Sequence, residues 1–241
     1  MKIIFSPSKG MDNSVIENSL KSKLPLFIEK ANFLRNIISE FSIEEFEKKF
    51  KLKGKLLQEA YDIAINKESA VEKEALLFYN GVSFRQLELE KYSKDDFSYA
   101  KDYVFILSAL YGVLNSLDRI KAYRLDMGIK ILDESLYSFW KKEIDNFFKE
   151  EDLIINLASN EFSKMLDRKR QLNIIDIEFR QIVDGTIKNI STEAKKARGL
   201  FLNYMIKNKI VDTRKLKEFN LESYSFSEEN SESHKLVFIK K

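Results

Sequence analysis

The chain has 241 residues and a formal net charge of +3, with 44% hydrophobic and 12% aromatic residues, enough to bury a substantial core and unlike a disordered composition. It contains no cysteine, which excludes a disulfide framework, thiolate metal sites and a cysteine nucleophile. The opening MKIIFSPSKG is too short an apolar run for a signal peptide, and no stretch reaches the roughly 18 apolar residues of a membrane span, so a soluble cytoplasmic protein is expected.

In chain order, KIIF reads as a buried strand that turns at Ser6-Pro7. Residues 24–41 carry Leu26, Phe27, Ala31, Leu34, Ile37, Ile38 and Phe41 at helical steps of three and four. A second helical pattern runs from Ser42 to Asn66, with Ser42 as cap and Glu45 three residues on. ALLFY, YVFILSALYG and DLIINLAS are short apolar runs bounded by polar or glycine positions, as buried strands are. SLYSFWKKEIDNFFKEE has the helical spacing of Leu136, Phe139, Trp140, Ile144 and Phe147. NIIDIEFRQIVDGTIKNIS alternates around Asp184-Gly185, a hairpin signal. A helix opens near Ser191, a short one covers Arg214–Phe219, and YSFSEENSESHKLVFIKK reads as two strands around a polar loop. Strands and helices alternate throughout, without repeats or a linker rich in Pro, Gly or Ser. The pattern predicts one α/β or mixed α+β domain over residues 1–241, with helices covering a central, mostly buried sheet.

Charge is unevenly placed. Residues 161–217 carry 14 Lys and Arg against 7 Asp and Glu, so a basic face is concentrated there. Within it, STEAKKARGLFLNYM places Lys195, Lys196 and Arg198 near a helix start, where the dipole disfavours cations. With Ser191 or Thr192 as cap, that end invites an anion. Ala194 and Ala197 leave the neighbourhood uncrowded, and Gly199, which costs about 1 kcal/mol relative to alanine inside a helix, implies a backbone or packing reason.

Other candidates divide quickly. Ser6-Pro7-Ser8-Lys9 has the S-x-x-K spacing of a serine acyl-enzyme but lacks the companion S-D-N and K-T-G motifs; Lys9 is better used to reach a bound anion. His234, the single histidine, lies in a polar loop and reads as a solvated surface residue. Glu44, Glu45 and Glu47 read as the wet face of a helix. No cofactor and no metal site are expected. Residues 107–128, LSALYGVLNSLDRIKAYRLDMG, read either as a buried strand and turn or as a helix–hairpin–helix-like element. In the second reading the Tyr111-Gly112 turn meets a DNA phosphate, with Arg124 as a nearby anion partner.

These segments together resemble the YaaA family of bacterial peroxide-stress proteins. The family's S-P-A-K pattern is matched by Ser6-Pro7-Ser8-Lys9, its L-Y-G-V-L by Leu110 to Leu114, and its Y-R-L-E-M-G by Tyr123 to Gly128. L-Y-x-F-W is matched by Leu136 to Trp140, N-L-A-S-x-E by Asn156 to Glu161, A-K-K-A-R-G by Ala194 to Gly199, and a closing Y-x-F by Tyr224 to Phe226. The matches keep family order along nearly the whole chain. Departures are Ser8 and Gly10 around Lys9, Asn115-Ser116 in place of an Arg-Pro, Asp126 for Glu and Phe162 for Tyr.

The resemblance implies a compact α/β fold with a basic groove, double-stranded DNA binding through a helix–hairpin–helix-like element, and protection from peroxide by lowering free iron. Without His or Cys ligands, an effect on iron is expected to be indirect. Two readings follow. In one, Lys9, Lys195, Lys196 and Arg198 neutralise DNA phosphates and the Tyr111-Gly112 turn contacts the backbone, independent of sequence. In the other, Lys9, Tyr111, Arg124, Lys195, Lys196 and Arg198 converge with Ser6, Asn156, Ser159 and Glu161 on a nucleotide or another phosphate-bearing small substrate of an enzyme. DNA needs cations spread along an open groove; a small ligand needs them in a concave pocket.

Overall fold

A computed structural model describes residues 1–14, 22–66, 71–169 and 173–241; Arg170 of the basic segment lies outside them. The KIIF run forms β1 (Lys2–Phe5). Three helices follow, α1 (Ile28–Ser39), α2 (Ile43–Phe50) and α3 (Gly54–Ile65). The expected capping box is present, with Ser42 accepting from the Glu45 N–H and Glu45 reaching back to the Ser42 N–H. The single helix expected over Ser42–Asn66 is instead broken in two. Lys51 takes the left-handed conformation that closes α2, and Gly54, also at positive φ, restarts the chain as α3.

A short strand β2 (Glu72–Glu74) then runs into α4 (Ala75–Phe78). ALLFY is therefore a single helical turn and not a strand. Buried Ala75, Leu76 and Phe78 are packed on several sides, so the run shows no period to distinguish the two states. Next come α5 (Lys94–Tyr103), β3 (Val104–Ser108), β4 (Gly112–Asn115) and β5 (Arg119–Lys121). The helix α6 (Leu136–Phe148) is capped by Ser135. After β6 (Ile154–Asn156) and α7 (Asn160–Ser163), the hairpin of β7 (Ile174–Val183) and β8 (Thr186–Lys188) turns at Asp184-Gly185, both at positive φ as the tight turn requires. The long helix α8 (Ser191–Lys207), a 3₁₀ segment (Thr213–Glu218), β9 (Tyr224–Phe226) and β10 (Lys235–Lys240) complete the chain.

Among the described residues, one sheet runs in the order β4-β3-β1-β6-β7-β10-β9, with β8 paired to β7. Its five central strands, β3 to β10 in that order, are parallel; β4, β8 and β9 are antiparallel additions. Successive strand residues face opposite sides, and Ile3 and Ile4 are both fully buried, so both faces of the sheet are covered. From β1 the chain passes to β3 on one side. It then crosses to β6 on the other side and continues outward through β7 and β10. The crevice beyond the ends of β1 and β6 is thus where the winding direction reverses, the position at which open parallel sheets bind ligands.

The helix–hairpin–helix-like reading of residues 107–128 is corrected here. The segment is a β-hairpin, with Ser108 opposite Gly112, followed by the extended strand β5. Tyr111 and Gly112 face the interior. A Cβ on Gly112, which sits at φ +71°, would lie 2.7 Å from the Trp140 ring, and the Trp140 Nε1–H donates to the Ala109 carbonyl at 2.8 Å. The Tyr111 hydroxyl accepts from buried Arg35 at 2.7 Å and from the Lys121 N–H at 3.0 Å. The glycine serves a turn and a tryptophan, and its backbone is not offered to a phosphate. No helix of the described residues is long and apolar enough to cross a membrane.

Asp118, between β4 and β5, is buried, and desolvation raises its carboxyl to about 7 against the lowering influence of the Asn115 N–H and Lys23. The folded protein therefore holds this proton more tightly than the unfolded chain does. Stability attributable to this group falls as pH rises from about 4 to about 7, by up to about 1.4 kcal/mol per pH unit, and is level above that. Asp118→Asn removes the slope. Urea unfolding at pH 5 and pH 8 should show the variant gaining on the wild type at the higher pH.

Candidate functional site

A cavity of about 400 Å³ opens at the crevice beyond β1 and β6. Four segments and one helix build it. The turn after β1 supplies Ser6 and Lys9, the turn after β6 and the start of α7 supply Ser159 and Glu161, the loop after α4 supplies Ser83 and Arg85, and the stretch before α6 supplies Arg124 and Asp126. Helix α8 adds Lys195 and Arg198. Five cations and two carboxylates thus share one concave surface.

Each segment is tied to its neighbour. The Ser159 N–H donates to Ser6 Oγ at 2.8 Å, and the Ser6 hydroxyl donates to Ser159 Oγ at 3.2 Å, locking the two strand ends together. Gly81 lies so close to Ser8 that a Cβ would meet its Oγ at 2.2 Å. Ser83 Oγ donates to the Lys195 carbonyl at 2.8 Å, fastening the loop to α8. Lys9 pairs with Asp126 at 2.6 Å, and the Met127 N–H donates to Glu161 Oε1 at 3.1 Å. Tyr123 lines the cavity, with its hydroxyl sharing 2.8 Å hydrogen bonds with Tyr79 and Ser108; burial pushes both tyrosines well above their ordinary range and keeps them neutral.

The electrostatics are unbalanced towards positive. Lys195, Arg124 and Arg198 form no side-chain hydrogen bond or ion pair among the described residues. Arg198 Nε is shielded from solvent with no partner. Burial lowers the Arg198 guanidinium from its ordinary value, partly offset by the carboxylate of Glu178, but an arginine remains charged at neutral pH. A buried donor without a partner costs about 1–3 kcal/mol.

The residues singled out from sequence separate into three sets. Lys9, Arg124, Lys195 and Arg198 line the cavity together with Ser6, Ser159 and Glu161. Lys196 does not; it pairs with Glu222 at 3.1 Å. Tyr111 and Gly112 lie in the core as described above. Asn156 is buried and acts as a brace: its amide donates to Asp176 at 2.6 Å and its carbonyl oxygen accepts from the Ala158 N–H at 2.9 Å. Burial alone would raise Asp176, but Arg168 and Asn156 hold its carboxyl below the ordinary range. Arg85 and Ser83 were not singled out from sequence; Asn80-Gly81 marks the turn that carries them, but nothing local says where that turn lands.

The helix-terminus expectation also changes. The cap of α8 is Ile190, without a side-chain hydrogen bond, and Ser191 is already helical. Lys195 and Arg198 therefore sit in the second and third turns, where the dipole has faded, and act through their own charges. Lys9, Arg85, Arg124, Lys195 and Arg198 line one cavity, and among the described residues no group of three His, Cys, Asp or Glu is placed to hold a metal ion.

Comparison with known proteins gives a consistent family. The one described as peroxide stress protein YaaA matches residues 1–230. A UPF0246 protein of Fusobacterium nucleatum is 41% identical over 247 aligned residues, covering 100% of this chain and 99% of that protein. UPF0246 proteins of Finegoldia magna and Clostridioides difficile are 36% and 35% identical, covering 100% of this chain and 98% and 100% of their own lengths.

Gly199 sets the distance between α8 and the Ser83 loop. A Cβ there would stand 2.0 Å from the Ser83 carbonyl oxygen. Helix propensity favours Gly199→Ala by about 1 kcal/mol, but overpacking against backbone costs about 1–3 kcal/mol or more, and backbone cannot swing aside as a side chain can. The variant should lose on the order of 1–2 kcal/mol in urea unfolding. A gain in stability would mean that the helix and loop are not in contact.

Proposed function

Because the chain belongs to the peroxide stress protein YaaA family, we propose that its part in the peroxide response runs through a phosphate-bearing small molecule held in the cavity at the ends of β1 and β6. One observation carries the reading: five cations, Lys9, Arg85 and Arg124 from three separated segments and Lys195 and Arg198 from α8, line a single concave surface. The volume of about 400 Å³ falls within the roughly 300–1,000 Å³ of small-molecule sites. Guanidinium groups suit phosphate oxygens through paired N–H donors. The same cluster gives an enzyme its means of stabilising charge on a transferred or cleaved phosphate group.

Duplex DNA, the partner implied by the family resemblance, is the competing ligand. Backbone binding would need cations exposed at phosphate spacing. Lys196, the cation of the AKKARG motif that lies outside the cavity, is engaged with Glu222, and the Tyr111-Gly112 turn is interior. Both observations favour the small ligand. A lowering of free iron would then be a downstream consequence of what happens to that ligand.

Titration calorimetry with pyrophosphate, adenosine monophosphate and adenosine triphosphate tests the reading. At least one should bind, and Arg198→Ala or Arg85→Ala should weaken it about 10- to 100-fold, as expected for loss of a hydrogen bond to a charged group. Lys196→Ala should leave it unchanged. The reading fails if none of the three binds while a short duplex does, with a steep salt dependence that Lys196→Ala reduces.

A further inference from the structure

The two carboxylates of the cavity differ in a way that bears on what the ligand carries besides phosphate. Asp126 is neutralised by Lys9 at 2.6 Å. Glu161 is not neutralised: despite the five cations around the cavity it forms no ion pair among the described residues. Its place is fixed instead by hydrogen bonds. Oε1 accepts from the Met127 N–H at 3.1 Å and its main-chain oxygen accepts from the Tyr137 hydroxyl at 2.8 Å. Among the described residues Oε2 has no protein partner. A carboxylate is an acceptor only, and near a phosphate it repels. In a site built for an anion it is useful only towards a part of the ligand that donates hydrogen bonds.

Ser159, two residues before Glu161, points to the same part. Its Oγ accepts from Ser6, so its own proton is directed elsewhere, and both residues line the cavity. The aromatic rings of the lining, by contrast, offer little to a flat base. Phe5, Phe84 and Phe162 are exposed by only 1%, 3% and 6%, and the Tyr123 hydroxyl is engaged with Tyr79 and Ser108. Of the lining aromatics, the half-buried Tyr123 ring alone is open to a flat partner, and the rest of this wall recognises donor groups at hydrogen-bond distance.

We infer that the cavity takes a phosphate monoester bearing hydroxyl groups, with Lys195, Arg198 and Arg85 holding the phosphate and Glu161, assisted by Ser159, accepting from the hydroxyls. This rests on the phosphate reading above and narrows it. A free sugar phosphate and the ribose phosphate of a nucleotide share this chemistry.

The test compares inorganic phosphate, ribose 5-phosphate and adenosine monophosphate by titration calorimetry on the wild type, Glu161→Gln and Ser159→Ala. The wild type should bind ribose 5-phosphate at least tenfold more tightly than inorganic phosphate. Glu161→Gln keeps an acceptor for the Met127 N–H but loses the charged one, and should bring the two ligands within threefold of each other with phosphate binding undiminished. Ser159→Ala should narrow the preference in the same direction by a smaller factor, and it guards against misfolding of the first variant. Tenfold tighter binding of adenosine monophosphate than ribose 5-phosphate assigns the hydroxyls to a nucleotide; equal or weaker binding assigns them to a free sugar phosphate. If the wild type binds phosphate and ribose 5-phosphate equally, or if Glu161→Gln weakens both alike, the inference is overturned and the phosphate reading stands. If none of the three ligands binds and the polyphosphates also fail, both fall.

Discussion

The site depends on β1 having parallel neighbours on both edges, with the chain reaching them by connections that leave in opposite directions. β1 pairs with β3 along one side and β6 along the other. Because the connection out of β1 and the connection out of β6 cover different parts of the sheet, a gap is left above the two strand ends. The Ser6–Ser159 hydrogen bonds cross the floor of that gap. The central strands owe their position to simple composition: strands as apolar as KIIF and the Val104–Ser108 run can exist only in the interior, covered on both faces.

Two close backbone approaches then shape the walls. Gly81 fits against Ser8 and Gly199 against the Ser83 carbonyl, each where a Cβ would overlap its neighbour. Their spacing brings the loop after α4 between the β1 turn and α8, and with it Arg85 into the company of Lys195 and Arg198. The opposite wall is held by ion pairing and hydrogen bonding, through Lys9 with Asp126 and Glu161 with the Met127 N–H. Buried Arg35 reinforces that wall from behind. It has no carboxylate ion pair among the described residues and instead donates to the Tyr111 hydroxyl and to the carbonyls of Lys121 and Ala122, directly before the Tyr123-Arg124 stretch. A desolvated guanidinium satisfied by carbonyls fixes the backbone more firmly than a surface pair could.

How much of this was legible in the sequence follows the range of the interaction involved. Local chemistry was readable: the Ser42–Glu45 box and the Asp184-Gly185 turn each need only neighbours within a few residues. Apolar runs without a period were not. ALLFY became a helical turn, and around Gly112 the sequence left strand-and-turn and helical readings open, of which the structure has the first, because burial on all sides removes the alternation that distinguishes helix from strand. At the site, Lys9, Arg124, Lys195 and Arg198 could be named as anion partners from residue type and setting, and their convergence was one of two open geometries. Arg85 could not be named, since its place is decided by the contacts of Gly81 and Gly199 far along the chain. Asn156 shows the converse. It lies in a matched motif beside Ser159 and Glu161, yet its amide braces β6 against Asp176 and does not line the cavity.

The charge distribution is the last link between fold and ligand. Placing Lys195 and Arg198 on α8 without carboxylate partners among the described residues lets like charges accumulate over a partly desolvated surface, and nothing in the fold requires it, since Lys196 on the same helix is neutralised by Glu222. Core packing of α8 uses Ala194, Ala197, Phe201 and Leu202 and would be served as well by neutral residues at 195 and 198. The buried, unpartnered Nε of Arg198 opposes folding by an amount that the α8 packing must offset. In the reading proposed above, the group that complements a concave, positively charged surface with one fixed carboxylate is an anion that also donates hydrogen bonds. In that reading, the charges that repel one another across the cavity wall are those a bound anion would neutralise, so that its binding would stabilise the fold.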